Sequence, residues 1–145
     1  MTQRLILRLL AIGVLALSAV GSAAGSDVVQ PPLATVVRHG GLCVSGRECR
    51  FVFRIGDTTI TARGYRPRRL TTGERRALRQ AIAALDLAAI RKHPFRGTCP
   101  IAYDGQETIY RFRGFSSPLA SCKFDLQRVA AVRLAERLIA TLRPR

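Results

Sequence analysis

The first 24 residues, MTQRLILRLLAIGVLALSAVGSAA, set the conditions under which the rest of the chain must fold. Arg4 and Arg8 sit in a charged start that holds no acid, and Leu9 to Leu17 form an apolar run. Ser22 and Ala24 then supply small side chains at the spacing a signal peptidase accepts. The stretch Leu5 to Val20 is interrupted by Arg8 and falls short of the roughly 20 apolar residues of a bilayer span. It therefore reads as a cleaved secretory signal rather than an uncleaved anchor. No second apolar run of spanning length follows, so no transmembrane segment is expected once the signal is removed. The remainder is expected to fold outside the reducing cytosol, in the periplasm, in the cell envelope or in the medium. Three parts follow: a signal peptide over 1–24, a flexible leader over 25–32 that ends in Pro31-Pro32, and one domain over 33–145.

In an oxidising compartment an even cysteine count reads as a disulfide framework. The four cysteines are Cys43, Cys49, Cys99 and Cys122. Three pairings are possible. Cys43–Cys49 with Cys99–Cys122 is the most economical, because Ser45-Gly46 supplies a turn between the first two. A zinc site would want Cys-x-x-Cys pairs or neighbouring histidines. The cysteines are spaced more widely than that, and His39 and His93 stand apart in sequence. No metal and no cofactor is expected.

The hydrophobic pattern gives the order β-β-β-α-β-β-α. Leu33–Arg38 is a β-branched strand, broken by His39-Gly40-Gly41. Cys49–Ile55 alternates, with Phe51, Phe53 and Ile55 on one face and Arg50, Val52 and Arg54 on the other. Gly56-Asp57 turns the chain into a strand over Thr58–Tyr65. Thr71 and Glu74 form a capping-box pattern, and a helix is expected from Thr72 to Ile90 with Ala77, Leu78, Ala81, Ile82 and Leu85 on its apolar side. Strands are expected over Glu107–Phe112 and Leu119–Phe124, and a second amphipathic helix over Leu126–Leu142. The fold class is α+β: a small antiparallel sheet of four to five strands with two helices on one face. The other face and the sheet edges are left as surfaces for a partner.

No catalytic set assembles from these residues. Nothing in sequence ties His39 or His93 to a nucleophile or an orienting acid. Asp104-Gly105 reads as a turn, and Gly40-Gly41 lacks the Lys-Ser/Thr sequel of a phosphate-binding loop. The chain reads as a non-enzymatic binding module.

Charge supplies the binding candidate. Lysine and arginine number 24 against 9 acids, a formal net charge of +15, and only Arg4 and Arg8 would leave with the signal peptide. Such a field favours anionic surfaces: lipid headgroups, acidic envelope polymers or an acidic protein. Arg63, Arg66, Arg68, Arg69, Arg75, Arg76 and Arg79 cluster about the start of the first helix. Cations there oppose the helix dipole, so local stability does not call for them. Only Tyr65 supplies an aromatic among them, which disfavours nucleic acid.

The order of several segments resembles emfourin-like proteins, small relatives of the protealysin inhibitor that block thermolysin-type metallopeptidases. The segments are VVRHGGL (36–42), LTTGERRALRQAIAALDL (70–87), YDGQETIYRF (103–112) and LAERLIATL (134–142). Cys99 to Gly105, Cys-Pro-Ile-Ala-Tyr-Asp-Gly, is also similar to a stretch in exported bacterial proteins of uncharacterised function. The first resemblance implies an inhibitor that occludes an exported peptidase. It makes Val36–Leu42 a contact strand, in which Gly40 and Gly41 would admit a partner's backbone. The signal peptide, the cysteines and the strong positive charge depart from that family. They support the alternative, a basic envelope-associated protein that holds anionic polymer or lipid through Arg63–Arg79.

Overall fold

The computed structural model describes residues 30–42 and 48–145; the expected signal peptide, residues 25–29 of the expected leader and Cys43 lie outside the described residues. The strands are β1 (Ala34–Leu42), β2 (Glu48–Ile55), β3 (Thr59–Ala62), β4 (Arg68–Arg69), β5 (Glu107–Phe112) and β6 (Leu119–Ala120). The α-helices are α1 (Thr72–Ala83), α2 (Leu87–Arg91) and α3 (Ala130–Ala140), with 3-10 turns at Pro100–Tyr103 and Leu126–Arg128. All six strands join one antiparallel sheet in the order β4-β3-β2-β1-β5-β6.

The α+β architecture expected from the pattern is present, with one more strand and one more helix. Ala34, Val36, Phe53, Ile55, Tyr110 and Phe112 share a face by register and pack with Leu78, Ile90, Ala135, Leu138 and Ile139 of the helices in one core. Fully burying Leu78 contributes roughly 1.5–3 kcal/mol. Among the described residues the opposite face carries no α-helix of this core. There Val52, Val37 and Ile109 lie side by side across three strands, with Arg50, Arg54 and Arg111 exposed around them. Val37 is nonetheless 5% exposed, because β1 is the inner strand and its neighbours cover it. A β-branched run of this kind suits a strand shielded on both sides.

Several boundaries differ from the expectation, each for a local reason. β1 does not break at His39 but runs on to Leu42, its register slipping between His39 and Leu42 where Gly40 and Gly41 take φ of +97° and +73°. The strand expected over Thr58–Tyr65 stops at Ala62. Tyr65 instead bridges to Pro144, and Arg66 N–H donates to Arg143 O at 3.0 Å, so the C-terminal tail takes over the pairing. The helix expected over Thr72–Ile90 is two helices. The Asp86 carboxylate accepts from Ala88 N–H at 2.8 Å and Ala89 N–H at 3.1 Å and starts a new helix. An N-capping side chain of this type competes with continuation of the preceding helix. The last strand keeps only Leu119–Ala120, and α3 begins at Ala130 after the Leu126–Arg128 turn.

The capping box is formed as expected. Thr71 Oγ1 accepts from Glu74 N–H at 3.2 Å, and Thr71 N–H donates to Glu74 Oε2 at 2.8 Å. Among the described residues no helix is long and apolar enough to cross a membrane.

Candidate functional site

The arginine cluster is split by its partners. Arg68 makes a forked contact with Glu74, at 2.7 and 3.1 Å. That contact, followed by the bond from Thr71 N–H, brings the Glu74 carboxyl down to about 2. Arg79 and Arg113 both reach Asp57, and their hydrogen bonds hold its carboxyl below the usual range. Two of the seven arginines, Arg68 and Arg79, therefore tie α1 to the sheet. Among the described residues Arg63, Arg66, Arg69, Arg75 and Arg76 face no carboxylate, and all but the half-buried Arg75 are exposed.

The fold adds two arginines to this edge. Arg145 N–H donates to Gly64 O at 3.0 Å, and Arg145 Nε–H donates to Tyr65 O at 3.1 Å. With the Arg66–Arg143 backbone bond, this sets the exposed Arg143 and Arg145 beside Arg63 and Arg66. Nothing in the local sequence could announce that, because the pairing spans the whole domain.

The acids show why so much charge remains unneutralised. Asp57, Glu74, Glu107, Asp125 and Glu136 each face a cationic group or imidazole within the chain. Asp86 caps α2. Asp104 ends the Pro100–Tyr103 turn at φ +57°. The carboxylates of Asp57, Glu74, Asp86, Glu107, Asp125 and Glu136 serve the fold, and the exposed arginines are left to solvent.

The glycine pair has a partner inside the molecule. A Cβ on Gly40 would lie 2.8 Å from Gly105 O and 3.0 Å from Ile101 Cγ1, and one on Gly41 would lie 2.8 Å from Asp104 O. The Pro100–Gly105 turn occupies the close approach that these residues permit. β1 is also an inner strand, and β2 and β5 pair it on both sides from Ala34 to His39. The free edges are β4 and β6, of two residues each. Short edges resist strand addition.

Cys99 and Cys122 are bridged, with Cα atoms 5.2 Å apart. Cys49 is 8% exposed and also disulfide-bonded, while Cys43, its partner in the expected pairing, lies outside the described residues. The Cys99 bridge anchors a turn whose Ile101 is 40% and Tyr103 76% exposed. His39 Nε2 lies 3.1 Å from Glu107 Oε2 across the β1–β5 pair. Among the described residues no group of three or more His, Cys, Asp or Glu could hold a metal ion.

A hollow of about 1020 Å³ was not legible in the sequence. It lies between the segment Lys92–Arg96 and α3, with Tyr110, Phe124 and Val132 among its lining. Tyr110 O–H donates to Glu136 Oε1 at 2.7 Å, and Arg38 pairs with the other oxygen while its guanidinium sits 5.2 Å above the Phe53 ring. Burial, and then the bond to Glu136, push the Tyr110 hydroxyl well above its ordinary range. Glu136 stands in the groove paired with Arg38 and accepting from Tyr110. The polar side of α3, with Arg133, Glu136 and Arg137, is legible as such. That it faces Lys92 and Arg96 is a tertiary fact.

A scan against protein-family models found no match, and comparisons with curated proteins and with solved structures found none either. The chemistry of the surface itself must carry the functional reading.

Proposed function

We propose that this is an exported, non-enzymatic binding module that holds an anionic component of the cell envelope through the arginine edge. The observation that carries the reading is the division of charge. Among the described residues five arginines of the Arg63–Arg79 segment face no carboxylate, the tail adds Arg143 and Arg145, and the carboxylates of Asp57, Glu74, Asp86, Glu107, Asp125 and Glu136 are engaged elsewhere. The leader sequence and the Cys99–Cys122 bridge support the compartment.

Binding to phosphatidylglycerol vesicles and to soluble heparin, measured across salt, tests the proposal. With about four ionic contacts, affinity is expected to fall roughly 100-fold between about 50 and 200 mM salt. The triple variant Arg66→Glu, Arg75→Glu, Arg76→Glu is expected to lose most of that affinity and to keep its melting temperature. Salt-independent retention, or equal binding by the variant, would sink the reading. A preference for vesicles or for heparin assigns lipid or polymer as the partner.

A second reading is favoured by the exposed Ile101 and Tyr103 on the bridged turn. An apolar tip held by a disulfide can enter a peptidase cleft with little ordering cost. In this form the emfourin-like resemblance would act through residues 99–105 rather than through β1. Titration against a thermolysin-type peptidase is then expected to give inhibition that Tyr103→Ala weakens about tenfold or more, the usual loss for a buried aromatic anchor. No inhibition at micromolar protein would remove this reading.

A further inference from the structure

We propose that the groove between Lys92–Arg96 and α3 is a second site, which takes a monomeric single-chain amphiphile with an anionic headgroup. The walls and floor call for both halves of such a ligand. Lys92 and Arg96 stand on one wall, and Arg133 and Arg137, one helical turn apart, stand on the other. None of the four touches a carboxylate among the described residues; Arg133 is held only to Gln127 O, at 2.9 Å. The two acids that line the groove do not oppose an anion strongly. Glu136 is paired with Arg38 and Tyr110, and Asp125 accepts from Gln127 N–H at 3.3 Å with Arg128 nearby. Between the cationic walls lie Phe95, Phe124, Leu126 and Val132, an apolar surface that a free inorganic anion would leave uncovered. A volume of about 1020 Å³ is at the upper end of the range for small-molecule sites and accommodates an alkyl chain. Backbone bonds from Phe95 N–H to Lys123 O at 3.1 Å and from Asp125 N–H to His93 O at 2.8 Å fix the Lys92–Arg96 wall in place. The site is separate from the arginine edge and does not depend on it.

Calorimetric titration with octyl phosphate tests the assignment, with inorganic phosphate and octyl glucoside as the headgroup and tail alone. Octyl phosphate is expected to bind one to one, and each half alone roughly 30-fold more weakly or worse, since both burial and charge contribute. Arg133→Glu with Arg137→Glu is expected to weaken octyl phosphate about tenfold or more, and Arg75→Glu with Arg76→Glu less than about twofold. Should the α3 variant fail to fold, Lys92→Glu with Arg96→Glu on the opposite wall carries the same test. Vesicle binding is expected to be unchanged by the groove variants. Inorganic phosphate as tight as octyl phosphate, no saturable binding, or equal loss in the edge variant would overturn the proposal. Loss of vesicle binding in the groove variant would place the ligand in a bilayer and overturn its monomeric form.

Discussion

Removal of the Cys99–Cys122 bridge is expected to lower stability by about 3 kcal/mol, the chain-entropy value for a loop of this size. For a domain of this length that corresponds to a fall in melting temperature of roughly 10–15 °C. The double variant Cys99→Ser, Cys122→Ser is compared with the parent by thermal unfolding under oxidising conditions. The bridged turn also holds few other anchors. Arg96, Gly97, Thr98, Pro100, Ile101, Ala102, Tyr103 and Asp104 are all exposed. Besides the bridge, the segment is fixed by the Pro94–Phe124 pairing and by its seat on Gly40 and Gly41. A loss below about 1 kcal/mol would mean that these two contacts alone hold the turn within the cooperative unit. The same variant is expected to loosen the groove, since Phe95 and Arg96 lie between the Pro94 pairing and Cys99.

What was legible in the sequence follows a physical dividing line. Period-two alternation placed Phe51, Phe53 and Ile55 on one face and Arg50 and Arg54 on the other, and the register agrees, although Phe51, opposite Arg38, stays 41% exposed while Phe53 and Ile55 are buried. Thr71 and Glu74 announced the start of α1 because a capping box is a local exchange of hydrogen bonds. The break at Ala84–Asp86 is masked in the sequence although Asp86 is a good N-cap, because the apolar spacing of Leu85 and Leu87 to Ile90 continues across it. The seven arginines were legible as a cluster, but not which of them are engaged. Arg79 meets Asp57 only when β2 and α1 are brought together, and Arg143 joins Arg66 only through the tail. The groove was invisible for the same reason. Its two cationic walls are about 40 residues apart in the chain and meet only through the β5–β6 pair and the Pro94–Phe124 bridge.

Alanine at Gly40 is expected to cost about 2–4 kcal/mol, combining the strain of a positive φ with overpacking. Gly64 provides the control that separates the two. Its φ is +83°, close to the +97° of Gly40, but a Cβ there meets nothing within 4 Å. Gly64→Ala is therefore expected to cost only the backbone strain, about 1–2 kcal/mol. The difference between the two substitutions, read from denaturant midpoints at unchanged slope, measures how tightly the Pro100–Gly105 turn sits on β1. The obstructing atom is the backbone carbonyl of Gly105, which cannot swing away as a side-chain end could. Relief would require the turn itself to lift. That motion is opposed by the Cys99 bridge and by the bond from Gly105 N–H to Pro100 O at 2.8 Å. If Gly40 existed to admit a partner's backbone, its alanine variant would match Gly64→Ala in stability and lose only binding. A larger loss of stability instead makes the glycine pair the seat of the turn. The turn then covers the glycine pair and leaves Ile101 and Tyr103 outward.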